Sequence, residues 1–160
     1  MTITRAEAAM LAARGTAPVR EGWRDGALTV FVAGRPRNPM NGSHEHWSKR
    51  AKWAKGWRER TATACFRVPI KPTEFLTTLF PSPATPKLIT FTVHGPGRFD
   101  DDGLRNVVKP VRDALRDLAL IDDDRDSAGH TFRYEQAPPS RKTGSVYGIA
   151  LRVERLTPRP

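Results

Sequence analysis

The chain has a single cysteine, Cys65, in 160 residues. It can form no internal disulfide and offers no cysteine pair to a zinc ion. That scarcity points to a reducing, cytoplasmic setting. No stretch approaches the ~20 apolar residues needed to cross a bilayer, so no membrane span is expected. Residues 1–15 carry two arginines and scattered alanines but no continuous apolar run of the secretory type. The four histidines, His44, His46, His94 and His130, form no metal-ligand spacing with the lone cysteine. Acid is also scarce: 17 Asp and Glu stand against 27 Lys and Arg, a net charge of +10. Such a surface calls for an anionic partner, with nucleic acid ranked first, anionic membrane second and acidic protein third.

The acid that is present is concentrated. Nine of the ten aspartates fall between Asp100 and Asp126, as Asp100-Asp101-Asp102, then Asp113 and Asp117, then Asp122-Asp123-Asp124 and Asp126. Carboxylates packed together repel, and a cation among them relieves the cost. Asp102 suits the N-cap of the helix that follows, but a cap needs one carboxylate and not three. The second cluster lies beyond the far end of that helix, where carboxylates oppose the helix dipole, and its bland reading is a solvated turn.

Hydrophobic spacing supplies the frame. Residues 1–26 read as an N-terminal extension, broken by Gly15, Pro18, Gly22 and Gly26, ahead of one domain over 27–156. Ala27 to Ala33 is a buried strand. Ser43 caps a helix to about Phe66, with Trp47, Ala51, Ala54, Trp57, Thr61 and Cys65 on one face. Residues 68–86, with five prolines, form a long connection. Lys87 to His94 alternates as a second strand. Leu104, Val107, Val108, Val111, Leu115 and Leu118 mark a helix over about 103–119, with a kink or a later start near Asn106 expected from Pro110. His130 to Gln136 and Ser145 to Arg155 alternate, and the basic loop between them suits a hairpin. The order β-α-β-α-β-β predicts an α+β domain with a mixed sheet of about four strands and two main helices.

Two constellations carry chemistry. If the acidic clusters meet, hard oxygen ligands select Mg²⁺, with Mn²⁺ as a substitute, and such an ion serves phosphodiester hydrolysis. Meeting requires the second loop to turn back, because a helix of about 16 residues is some 24 Å long. Lys109, two turns after Asp102, either steadies a phosphate or pairs with Asp113 at i+4. Asp122-x-Asp124-x-Asp126 imitates a calcium loop, but Ser127 and Arg133 stand where glycine and glutamate are required, which excludes it. The basic helix is the second constellation: Lys49, Arg50, Lys52 and Lys55 interleave with Trp47, Trp53 and Trp57. Trp47 and Trp57 read as core anchors and Trp53 as the exposed, base-stacking member. Arg98, Arg141 and Lys142 complete the expected DNA-binding set, while His44 and His46 suit a plain loop or a phosphate grip.

Asp100-Asp101-Asp102-Gly103-Leu104, then Lys109-Pro110-Val111-Arg112-Asp113-Ala114-Leu115, then Leu120-Ile121-Asp122-Asp123-Asp124 resemble the RusA family of Holliday-junction resolvases, including its phage members. The likeness covers roughly residues 28–155. It implies a dimeric, magnesium-dependent endonuclease for branched DNA such as the four-way junction, working in recombination and repair. Carried over, Asp100 and Asp102 are the paired acids, Asp123 the later acid with Asp122 beside it, and Lys109 the lysine; Asp101 can replace either neighbour. Gly103 stands where the family commonly has asparagine, and Lys109 lies three residues further on than usual. A catalytically inactive DNA-binding protein of the same fold is the alternative.

Overall fold

The apolar, β-branched run Ala27–Ala33 becomes β2, and Asp25-Gly26 before it folds it back on a short strand, β1 (Gly22–Arg24). Both turn residues have positive φ, 49° and 75°. That conformation is required at both positions of a two-residue turn whose twist matches the strands it joins. In this computed structural model, which describes residues 18–39, 46–68, 82–125 and 129–156, the remaining elements are α1 (Trp47–Arg67), β3 (Lys87–His94), α2 (Asp101–Asp117), β4 (Thr131–Gln136) and β5 (Gly148–Arg155). The expected α+β class is what the chain adopts, with five strands rather than about four. The added strand comes from within the segment read as an extension.

The sheet runs β1-β2-β5-β3-β4. β5 pairs antiparallel with both β2 and β3, whereas β4 lies parallel to β3 at the edge. The expected hairpin between the last two strands is therefore absent. α2 carries the chain from β3 across to a parallel β4, as a strand–helix–strand crossover demands. The basic loop then returns the chain past β3 to the centre. Burial explains the choice: Gly148 to Leu151 are all buried, as a central strand must be, while β4 alternates exposed and half-buried residues as an edge does.

One face of the sheet carries the core. Val30, Val32, Phe91, Val93, Ile149 and Leu151 pack against Trp57 and Ala64 of α1 and Val107, Val108, Val111 and Leu115 of α2. Pro110 sits buried within an unbroken α2, which starts at Asp101 rather than near Asn106. The edge at Phe31 is closed by side chains. Glu21 Oε1 accepts from Phe31 N at 2.8 Å and from Arg67 Nη2 at 2.7 Å, and the same Nη2 reaches Phe31 O at 3.3 Å.

Candidate metal centre and nucleic-acid interface

β3 ends at Gly95-Pro96-Gly97, and the loop is then pinned by the end of the neighbouring strand β4 and the loop after it. Gln136 Oε1 accepts from Phe99 N at 3.0 Å, and its Nε2 donates to Gly97 O at 2.6 Å. Arg141 Nε donates to Pro96 O at 3.0 Å. So fixed, the chain enters α2 through the first acidic cluster. Asp100, not Asp102, is the N-cap: its Oδ1 accepts from Gly103 N at 2.8 Å. A Cβ on residue 103 would come within 2.6 Å of that oxygen and 3.3 Å of Asn38 Nδ2, so glycine leaves room for the cap and for the loop after β2. Asp101 and Asp102 lie exposed in the first turn, where the helix dipole favours negative charge. Neither side chain has a hydrogen-bond or ion-pair partner among the described residues.

The second cluster does turn back. Ala119 takes a left-handed φ of 56°, and its N–H and those of Leu118 and Leu120 bond the last carbonyls of α2. Ile121, buried at 1% exposure, then anchors the returning loop. Each of the next three aspartates has a partner from the same chain. Asp122 Oδ1 lies 2.7 Å from His130 Nε2, and that hydrogen bond is the main cause of an Asp122 pKa below its ordinary value. Asp123 Oδ2 accepts from Arg125 Nε at 2.7 Å, which lowers its pKa likewise. Asp124, with a side chain only 13% exposed, reaches Arg116 Nη1 at 3.0 Å and Lys109 Nζ at 3.8 Å. Burial works against its ionisation, but hydrogen bonding with Asp113 and the charges of Arg116 and Lys109 outweigh it, and the pKa falls.

Asp102 and Lys109, seven residues apart, share one face of α2. The second cluster therefore approaches the face that carries the first, about 10 Å further along by the helix rise. Among the described residues no three Asp, Glu, His or Cys side chains gather into a ready metal cage. Lys109 is committed to Asp113, at 3.1 Å, and to Asp124 rather than to the first cluster. Between the acidic trio and Asp124 the helix presents Arg105, Asn106, Lys109 and Arg112. These line a depression of about 250 Å³ closed by Asp124, Arg125 and Tyr134. Arg105, Arg112, Asp124 and Tyr134 have no place in the site that the sequence predicts. Spacing signals the i+4 pair Lys109–Asp113, but not which aspartate of a triplet a returning loop will turn inward.

On α1 the tryptophans exchange their expected roles in part. Trp57 is fully buried, as expected, but Trp47 is 69% exposed, at the first turn. Trp53 is half-buried against the core and meets Trp57 edge-on, with the Arg37 guanidinium 5.9 Å from its ring centre. The buried stripe is Trp57, Thr61 and Ala64, with Trp53 one turn before it and Trp47 outside it at the first residue of α1. Lys49, Lys52 and Lys55 are exposed and Arg50 is half-buried. Arg98, Arg141 and Lys142 are exposed near the loop that delivers Asp100. His46 caps α1, with its Nδ1 accepting from Ser48 N at 3.3 Å; Ser43 and His44 lie outside the described residues. Burial pushes the Cys65 thiol up to about 12, so it offers no nucleophile near neutral pH.

No helix among the described residues is long and apolar enough to cross a membrane. No protein-family model matches the chain, and no curated protein matches it.

Proposed function

We propose that this protein is a Mg²⁺-dependent endodeoxyribonuclease that resolves four-way junctions or related branched DNA. The observation that carries the reading is the exposed pair Asp101 and Asp102, without partners among the described residues, at the head of a helix whose next two turns are cationic. Uncompensated hard-oxygen donors suit a divalent cation, and the cations beside them suit the phosphate to be cut. The likeness to RusA-type resolvases, carried by the ordered acidic and lysine motifs, supports the same reading.

The donor chemistry of the first cluster suits magnesium: Asp100 through the oxygen not engaged by Gly103, Asp101 and Asp102 would hold it once their side chains converged, since no three acids among the described residues are gathered in this structure. The later acid, Asp123 with Asp122 beside it, would join only if the returning loop moved along α2 and gave up its contacts with Arg125 and His130. A bound divalent ion supplies an activated water and stabilises charge on the phosphate. Lys109 steadies the charge that forms on the phosphate along α2. Lys49, Arg50, Lys52, Lys55, Arg98, Arg141 and Lys142, with Trp53 and Trp47 among them, add backbone contacts that carry affinity without sequence choice. Symmetric cutting of a junction requires two sites, which a two-fold homodimer provides.

One observation favours a second reading, a DNA-binding protein of this fold that does not cut. Asp122 is already hydrogen-bonded to His130, Asp123 is paired with Arg125, and Asp124 is paired with Arg116 and Lys109. A nicking assay on a synthetic four-way junction with Mg²⁺ separates the two. Cutting that Asp102→Asn abolishes, with junction binding intact, supports the nuclease. Binding without cutting in the unaltered protein supports the second reading, and cutting that survives Asp102→Asn removes the proposed site.

A further inference from the structure

Beside the cationic depression along α2 lies a second one, about 230 Å³, lined by His130, Thr131 and Phe132 and sharing Arg105 and Tyr134 with the first. The two halves differ in chemistry. The first is lined by Arg105, Lys109, Arg112 and Arg125 with Asp124; Lys109 and Arg125 also pair with Asp113 and Asp123, which leaves Arg105 as the exposed cation on offer to an anion. The second is aromatic and lies against β4 at the edge of the sheet.

The cations and rings at the junction are layered. The Arg112 guanidinium stands 3.8 Å from the centre of the Phe132 ring, and its Nη1 donates to Tyr134 Oη at 2.6 Å. Arg105 lies 5.4 Å from the centre of the Tyr134 ring. Behind them Phe91 stacks within 14° of parallel to both rings. Such a stack holds planar groups in register, and its exposed member, Arg105, offers a planar cation on which an unpaired base can continue the series. A duplex keeps its bases stacked within the helix, so only a displaced base can use that face. Arg105 is exposed and makes no ion pair among the described residues, so it can serve both halves.

We propose that this groove holds one unstacked nucleotide of the DNA, its phosphate among the α2 cations and its base against the aromatic half beside β4. The inference rests on the nucleic-acid reading above and deepens it, because a branch point is where paired strands can release a nucleotide. Arg105 then distinguishes unpaired from paired DNA, while the α1 cations treat the two alike.

The test uses the full chain and fluorescence anisotropy at several salt concentrations. The probes are a labelled single strand of about ten nucleotides, long enough to fill one such site, and the same sequence as a duplex. Arg105→Ala should weaken single-strand binding about tenfold, the scale of one lost stacking and phosphate contact, and leave the duplex nearly unchanged. Arg105→Lys should recover the salt dependence but not the full affinity, since it restores charge without a plane. Thymidine monophosphate should compete better than inorganic phosphate. Equal weakening of both DNAs, no effect on the single strand, or equal competition by the two small probes would each overturn the nucleotide site. A protein that fails to cut any junction with Mg²⁺ yet keeps Arg105-dependent single-strand preference overturns the nuclease and leaves the groove standing. Junction cutting with no such preference overturns the groove and leaves the nuclease.

Discussion

Asp124 and Arg116, eight residues apart, meet at 3.0 Å because the chain reverses at Ala119 and lays the second acidic loop against α2. The pair, with Lys109 and Asp113, fixes the height at which that loop docks. It settles which member of the triplet faces inward, since Asp124 has the least exposed side chain of the three: 13%, against 26% for Asp123 and 45% for Asp122.

Asp124→Asn should loosen this docking by about 1 kcal/mol, the upper range for ion pairs not fully removed from water. The pH dependence follows from the lowered pKa of Asp124. A folded pKa below the unfolded one, near 4, gives stability that is present above that pH and is lost as pH falls through the folded value. Urea unfolding should show a steeper acid-side loss in the unaltered protein than in Asp124→Asn. Parallel curves would show that the ion pair contributes nothing.

Lys109 is 64% exposed and paired along the helix, so Lys109→Met should change the urea midpoint little, within about 1 kcal/mol. Its effect belongs to the proposed reaction. A lysine that steadies charge forming on the phosphate should lower the single-turnover cutting rate about a hundredfold with junction binding nearly unchanged. Equal losses in rate and binding would make Lys109 a phosphate anchor only.

The tryptophans separate packing from binding. Trp57→Ala empties a fully buried site and should cost about 3–5 kcal/mol. Trp47→Ala removes an exposed ring and should stay within about 0.5 kcal/mol. Thermal melts of the two variants check this directly, and comparable losses would place Trp47 in the core after all.

Much of this frame was legible in the sequence, for particular reasons. Ala27–Ala33, a continuous apolar and β-branched run, and Lys87–His94, an alternating one, have the bounds expected of them, because burial on both faces or on one imposes those two patterns. The α2 stripe was likewise plain in Leu104, Val107, Val108, Val111 and Leu115. Asp25-Gly26 is itself a hairpin signal; treating it as a break hid β1. What spacing could not reveal was long-range. Whether β5 folds back beside β4 or inserts between β2 and β3 depends on pairing across the whole sheet. The N-cap fell to Asp100 because the Gln136 contacts fix where α2 begins, and local propensity allows any of three aspartates. The inward turn of Asp124 depends on Ala119, a non-glycine residue in a left-handed conformation that composition does not announce.

Lys87 is fully buried, and its Nζ donates to Ser82 O at 3.2 Å, Pro83 O at 3.0 Å and Thr85 O at 2.8 Å. Burial lowers its pKa to about 8, against a smaller opposing effect from Asp122. The unfolded chain, with a lysine pKa near 10.4, then binds more protons than the folded one between those values. Stability attributable to Lys87 should therefore rise as pH increases from about 8 to about 10. Lys87→Met should remove that rise and, by stranding three carbonyls, cost about 1–3 kcal/mol at pH 7. Denaturant titrations of both proteins across this range would decide it, and identical slopes would place the ammonium in better contact with water than its burial implies.

Glu21 tests whether the segment before Ala27 belongs to the domain. Its carboxylate closes the backbone at Phe31 and holds Arg67, with both side chains mostly buried at 19% and 17% exposure. Glu21→Ala leaves the Phe31 N–H and a guanidinium short of an acceptor at a site shielded from water, a loss of about 2 kcal/mol. Glu21→Gln keeps an oxygen for Phe31 N but removes the charge that Arg67 faces, so it should recover part of the loss. Hydrogen exchange at the Phe31 amide reads the contact itself: fast exchange in Glu21→Ala and intermediate exchange in Glu21→Gln are expected. Unchanged protection in both would mean that β1 and its neighbours close this edge without the carboxylate.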